Sequence, residues 1–256
     1  MIRKTKKPLA LLLAALLLFC SLSLAPAVQA ANEPYICLGY VADWTFNNQS
    51  GLAKIDFTKL THVNFAFSLV GGNSASLPSA ANLIPTIDSP NKITMLKNEI
   101  ARQGADTKIL LSIGGWGADW FCPAAKTAQS RATFAAECQR LVTTYGLDGI
   151  DLDWEYPGVS VYREGFGFNT QSCSTCNTDY TQLCQAIRTS IGNGKLLTMA
   201  GGASAQRANA LQCSQLAGLL DFVNLMNYDY NETNHASFNA TIQAAQAWVS
   251  AGFTKK

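Results

Sequence analysis

Four carboxylates crowd into ten residues of this chain: Asp148, Asp151, Asp153 and Glu155, within the run DGIDLDWEYP at 148–157. The residues between them are mostly apolar, as in a strand. Side chains alternate across a strand, so Asp151, Asp153 and Glu155 project from one face, with Cα atoms about 6.6 Å apart along it. At that spacing carboxylates couple through charge and shared hydrogen bonds, and like charges raise at least one pKa. A carboxyl that keeps its proton near neutral pH is what general acid catalysis requires. Asp148 has the opposite parity and is expected to fix the start of the strand. Mg²⁺ or Ca²⁺ could also bind acidic oxygens, but here every ligand would come from one strand, so no metal is expected.

Positioning that row needs a scaffold, and the rest of the chain describes one. Short apolar segments at 35–41, 62–69, 108–113, 149–154, 196–200 and 222–228 read as strands. Helical patterns at 92–102, 125–144, 180–191, 207–219 and 241–249 lie between or after them. Strands buried on both faces and alternating with helices imply a parallel sheet. Long Gly-, Ser-, Asn- and Pro-rich connections at 71–91 and 158–178 leave the carboxyl ends of the second and fourth strands. Such ends are where α/β barrels and open sheets build their sites. Tyr162, Phe166 and Phe168 in the second connection are candidates to line a groove.

Residues 1–30 combine a basic start (Arg3, Lys4, Lys6, Lys7), an apolar run over 9–24 and the small-x-small sequence Val28-Gln29-Ala30. This is the pattern of a cleaved signal peptide, and the apolar run is short for a membrane anchor. The expectation is a secreted protein, free of the membrane after cleavage, with a mature domain over 31–256. Without the leader, 19 Lys+Arg against 17 Asp+Glu become 15 against 17. A net charge near −2 gives no reason to expect nucleic acid or an anionic membrane as partner. Charged residues are 14% and aromatics 10% of the chain, which suits a neutral, ring-shaped ligand. Seven cysteines remain after Cys20 leaves, and their pairing is not legible from sequence. Cys173 and Cys176 form the one CxxC. With no second pair and only His62 and His235 elsewhere, a loop disulfide or plain thiols is expected rather than a metal or redox centre.

DGIDLDWEYP resembles the DxxDxDxE signature of family 18 glycoside hydrolases, the chitinase family. Further matches follow in order: Gly39-Tyr40, Asn64-Phe65-Ala66-Phe67, Ser112-Ile113-Gly114-Gly115-Trp116, Met199-Ala200-Gly201-Gly202, and Met226-Asn227-Tyr228-Asp229, which resembles MxYD. The resemblance covers essentially all of the chain beyond the leader. It implies a (β/α)8 TIM barrel and a catalytic set of Glu155, Asp153, Asp151 and Tyr228. Glu155 would be the acid and then the base. Asp153 would bond Glu155 in one state and the substrate's acetamido N–H in the other, and Asp151 would share a proton with Asp153. Tyr228 would bind the acetamido group, whose carbonyl oxygen acts as the nucleophile. The substrate-binding set would be Tyr40, Phe67, Ser112, Trp116, Tyr156, Met226 and Asp229, with Tyr40 and Ser112 beneath the aspartates and Trp116 and Tyr156 stacking on sugar rings.

The implied partner is chitin or chitooligosaccharides, acted on by a monomer with no cofactor. An endo-β-N-acetylglucosaminidase acting on N-glycans is the neighbouring alternative. A chitin-binding lectin that has lost catalysis is another, although such members usually lack the acid that Glu155 supplies here. Eight strands close the family barrel, and six are counted. The sequence stops at Lys256, just past Trp248-Val249-Ser250-Ala251-Gly252, which resembles the helix leading into strand seven. A C-terminally incomplete catalytic domain is therefore expected.

Overall fold

The six apolar segments are too short and too evenly apolar to present one helical stripe, and all six form strands. A computed structural model describes residues 35–72, 79–118, 120–157, 174–230 and 235–254. Strands β1 (Leu38–Ala42), β2 (His62–Val70), β4 (Lys108–Gly114), β5 (Gly149–Asp153), β6 (Leu196–Gly202) and β7 (Phe222–Met226) lie side by side in that order, each parallel to its neighbours. A two-residue strand, β3 (Pro85–Thr86), pairs antiparallel with the end of β2. It sits inside the 71–91 connection, where Pro85 and a two-residue length left no alternation to read.

The sheet curls. Tyr40 and Asn224 stand on β1 and β7, the two ends of the strand order, yet the Asn224 amide nitrogen donates to the Tyr40 hydroxyl at 3.3 Å. His62 on β2 meets Phe222 on β7 edge-on, with ring centroids 5.8 Å apart. Six parallel strands curled this way, each feeding helical segments, are part of a (β/α)8 barrel.

The helices are α1 (Gln49–Leu52), α2 (Pro90–Arg102), α3 (Phe121–Lys126), α4 (Ala128–Tyr145), α5 (Cys176–Ile191), α6 (Ala205–Asn209), α7 (Cys213–Leu219) and α8 (Phe238–Ser250). The single helical patterns expected at 125–144 and 207–219 are each two helices. Thr127 breaks the first: its backbone is extended (φ −114°, ψ 155°). Its hydroxyl accepts from the Ser130 N–H while the Ser130 hydroxyl accepts from the Thr127 N–H, a reciprocal cap that starts α4. In the second, α6 ends at Asn209 and α7 begins only at Cys213.

Strand parity decides what faces the helices. Ile150, Leu152 and Trp154 alternate with the carboxylates and are buried. The Trp154 ring stacks on Phe121 of α3 at 5.3 Å and meets Tyr180 of α5 edge-on at 5.8 Å. Pinning one face to the helices forces Asp151, Asp153 and Glu155 onto the other. Asp148 ties the start of β5 to β4, with one carboxylate oxygen accepting from the Ile109 N–H at 2.8 Å.

A separate polar cluster fastens α2. The Glu99 carboxylate is fully buried and accepts four hydrogen bonds: two from Arg102 and one each from Gln49 and Gln103. The Arg102 bonds first, then those from Gln49 and Gln103, hold its pKa down to about 2. A depressed pKa contributes stability above the unfolded value of about 4.3, and that stability is lost as pH falls through the folded value. Glu99→Gln is therefore expected to lower Tm at pH 7. The gap from wild type should close between about pH 4.3 and pH 2, which thermal unfolding by circular dichroism would read. A gap that stays constant over that range would mean the Glu99 charge contributes nothing.

Cys176 is half of a disulfide, and Cys37, Cys122, Cys138, Cys184 and Cys213 are free thiols. Burial pushes Cys184 up to about 12 and Cys213 up to about 11, so neither is a ready nucleophile. Residues 1–30, where a signal peptide is expected, Cys173, and Tyr162, Phe166 and Phe168 lie outside the described residues. Among the described residues no helix is long and apolar enough to cross a membrane.

Candidate active site

The register of the sheet builds the floor of the site around Asp151. Ser112 on β4 and Thr198 on β6 are its direct partners across the two strand pairings, so all three side chains point the same way about one strand spacing apart. Asp151 is fully buried. One carboxylate oxygen accepts from the Tyr40 hydroxyl at 2.9 Å and the Ser112 hydroxyl at 2.8 Å. The other accepts from the Thr198 hydroxyl at 2.5 Å and the Asn224 amide at 3.3 Å. Burial raises the Asp151 pKa, and the four hydrogen bonds only partly offset it. Ser, Thr and Tyr hydroxyls can each donate or accept. The cradle can therefore hold Asp151 with or without a proton. Burial and the neighbouring Asp151 and Asp153 keep the Tyr40 phenol neutral by raising its pKa.

Above that floor opens a cleft of about 820 Å³, lined by Asp153, Glu155, Tyr156, Phe67, Trp116, Met226, Tyr228 and Asp229. Nine of the eleven expected site residues thus stand in the cleft or, for Asp151, directly beneath it. Tyr40 and Ser112, grouped above with the substrate contacts, are absent from the lining and instead hold Asp151. Trp116 and Tyr228 are 63% and 50% exposed. Large aromatic faces left open to water on a cleft wall are platforms for an amphipathic ligand.

Local backbone features aim these groups. The end of β4 runs so close to β5 that a Cβ on Gly114 would lie 2.0 Å from the Asp153 carbonyl oxygen, and its φ of 122° is open only to glycine. Phe67 shares parity with the buried Phe65 and would face the helices in a regular strand. The β2–β4 register shifts between Ala66 and Ser68, and this bulge turns Phe67 into the cleft. Gly115 leaves room for it, since a Cβ there would lie 2.9 Å from the Phe67 ring.

Sequence reasoning missed several members. Thr198 and Asn224 complete the Asp151 cradle. Trp44, Asp43 and Asp88 also line the cleft, and Trp44 is 65% exposed with its ring 6.0 Å from that of Phe67. Trp44 had a legible signal, since it lies just past the carboxyl end of β1, where barrel sites form. Asp88 had only the general signal of the 71–91 connection, which leaves the carboxyl end of β2, with no motif to single it out among that connection's residues. Among the described residues, no cluster of three or more His, Cys, Asp or Glu side chains could hold a metal ion.

A carboxylate row at the carboxyl end of a barrel strand, under a cleft walled by open aromatic rings, has the residue types that carboxylate-based glycoside hydrolases use. The sequence profile described as "Glycosyl hydrolases family 18" matches residues 36–255, and the chain belongs to that family. Chitinase A1 of Niallia circulans is 30% identical over 258 residues, covering 82% of this chain and 36% of the relative. The chain thus spans about a third of that protein's length. The chitinase domain of the spore coat protein CotE from Clostridium difficile superposes with a TM-score of 0.69 at 28% identity, covering 89% of this chain and 65% of that one. A family 18 N-acetylglucosaminidase from Paenibacillus barengoltzii gives a TM-score of 0.66 at 28% identity, covering 86% and 65%.

Proposed function

We propose that the protein carrying this chain is an exported chitinase, its leader at 1–30 removed, which hydrolyses β-1,4-linked N-acetylglucosamine polymers with help from the substrate's own acetamido group. The observation that supports this most is the graded carboxylate row. Asp151 lies buried on four donors, and Asp153 and Glu155 line the cleft above it.

In this reading Glu155 gives its proton to the glycosidic oxygen as the bond to the anomeric carbon breaks. The acetamido carbonyl oxygen of the same sugar closes on that carbon from the opposite face, forming an oxazolinium ion. Asp153 accepts the acetamido N–H and offsets the developing positive charge. Tyr228 donates to the carbonyl oxygen. Burial, then Asp153, Glu155 and Asp229, raise the Tyr228 pKa, so the phenol keeps the proton it donates. Glu155, now a carboxylate, takes a proton from the water that opens the ring, and the configuration at the anomeric carbon is retained. Trp44 and Trp116, the two exposed indoles of the cleft wall, supply faces for neighbouring sugars.

Digestion of chitohexaose followed by NMR tests the reading. The first products should be shorter oligosaccharides carrying the β-anomer. An α-anomer first product would overturn the mechanism. Release of single sugars only would favour the second reading, an N-acetylglucosaminidase, which the Paenibacillus barengoltzii likeness supports.

A further inference from the structure

Arg207, on α6, is not among the residues lining the cleft, yet it is built against one that is. Its guanidinium carbon lies 3.8 Å from the centroid of the Tyr156 ring, well inside the roughly 6 Å reach of a cation over an aromatic face. Gly202, the last residue of β6, makes the contact possible. A Cβ there would lie 2.6 Å from Arg207 Cγ and 3.1 Å from Tyr156 Cε1, so any side chain at 202 would wedge the pair apart.

The backbone beneath the arginine is held as well. The Gly202 carbonyl accepts from the Trp248 indole N–H at 3.1 Å and from the Ser204 N–H at 2.9 Å. The Ser204 hydroxyl then caps α6 by accepting from the Arg207 N–H at 3.3 Å. Among the described residues Arg207 makes no ion pair, and its buried Nη1 has no hydrogen-bond partner. Placing a guanidinium N–H out of water without an acceptor costs free energy, and the ring is what the side chain gains in exchange.

On its other side Tyr156 reaches the reacting group. It follows Glu155 directly in the chain and lines the same cleft, so fixing its ring fixes the backbone from which the Glu155 carboxyl projects. We propose that Arg207 is a positioning residue for Glu155, clamping the Tyr156 ring and with it the stretch of backbone that carries the carboxyl into the cleft. This rests on Glu155 being the acid and base of the proposed chitinase reaction. A misplacement of about 1 Å at a reacting group costs about 10²-fold in rate, so a loosened ring should show in kcat rather than in KM.

The test compares wild type, Arg207→Ala, Arg207→Lys, Tyr156→Ala and the Arg207→Ala/Tyr156→Ala double variant, each by chitohexaose kinetics and by thermal unfolding. Arg207→Ala should lower kcat by roughly 10- to 10²-fold with KM within about twofold. Arg207→Lys, which keeps the charge but not the flat face, should remain low. In the Tyr156→Ala background, Arg207→Ala should cost no further kcat and no further Tm. An unchanged kcat in Arg207→Ala, recovery in Arg207→Lys, or losses that multiply in the double variant would each overturn the clamp. The Tm cycle reads the contact without catalysis. A wild type that cleaves nothing would sink the chitinase reading, and this inference with it. An active wild type with additive Tm losses would sink the clamp alone.

Discussion

Glu155→Gln is expected to reduce turnover of chitohexaose by about 10²–10⁴-fold, the range a positioned general acid supplies, or about 3–5.5 kcal/mol of barrier. Gln has nearly the same size and still hydrogen-bonds, so the Tyr156 ring and the sugar contacts should survive and KM should stay within about threefold. What is lost is the proton. The comparison that isolates it uses a second substrate, a chitobioside with a 4-methylumbelliferyl leaving group. That leaving group departs with little need of protonation, so its first step should suffer far less than that of the natural glycoside. Pre-steady-state release of the fluorophore against steady-state hydrolysis of chitohexaose measures the difference. Equal losses on both would assign Glu155 to binding rather than to proton transfer.

The carboxylate row was legible because a strand has only two faces. Once Ile150, Leu152 and Trp154 are buried against α3 and α5, the other parity has one place to go. The strand order was legible for a related reason: each apolar run is followed by a helical one, and parallel neighbours in chain order satisfy that pattern. What stayed hidden depends on register between strands. Thr198 lies opposite Asp151 only because β6 pairs with β5 at that residue. Asn224 reaches Asp151 only because the sheet curls until β7 and β1 approach across its concave face. Phe67 entered the expected set through family resemblance, and parity alone would have turned it away from the cleft. A one-residue bulge reverses it, and nothing in Ala66-Phe67-Ser68 announces a bulge. Arg207 is the same kind of case, since its meaning comes from an absent Cβ on Gly202.

The second large effect expected is a separation of stability from activity in Asp151→Asn. Burial raises the Asp151 pKa in the folded protein despite its four donors, whereas in the unfolded chain it titrates near about 3.9. The folded state therefore holds the Asp151 proton more tightly than the unfolded state. Its contribution to stability falls as pH rises from about 3.9 through the raised value, because the charge must then be buried. Asn carries no charge and can fill the same cradle. Its carbonyl can accept from Tyr40 and Ser112, its amide can donate to the Thr198 hydroxyl once that hydroxyl rotates, and the Asn224 amide, which can no longer donate to position 151, keeps its bond to the Tyr40 hydroxyl. The Tm of Asp151→Asn at pH 7 should equal or exceed that of wild type, and its advantage should shrink as the pH is lowered toward 4. Turnover should nevertheless fall by about 10²-fold, the usual loss when one preorganised electrostatic partner of a reacting group is removed. Together those results would mean that Asp151 is kept at a cost in stability for the sake of the proton it shares. A clear loss of Tm at neutral pH would sink this account, because it would show that the four donors need a carboxylate to hold the strands together.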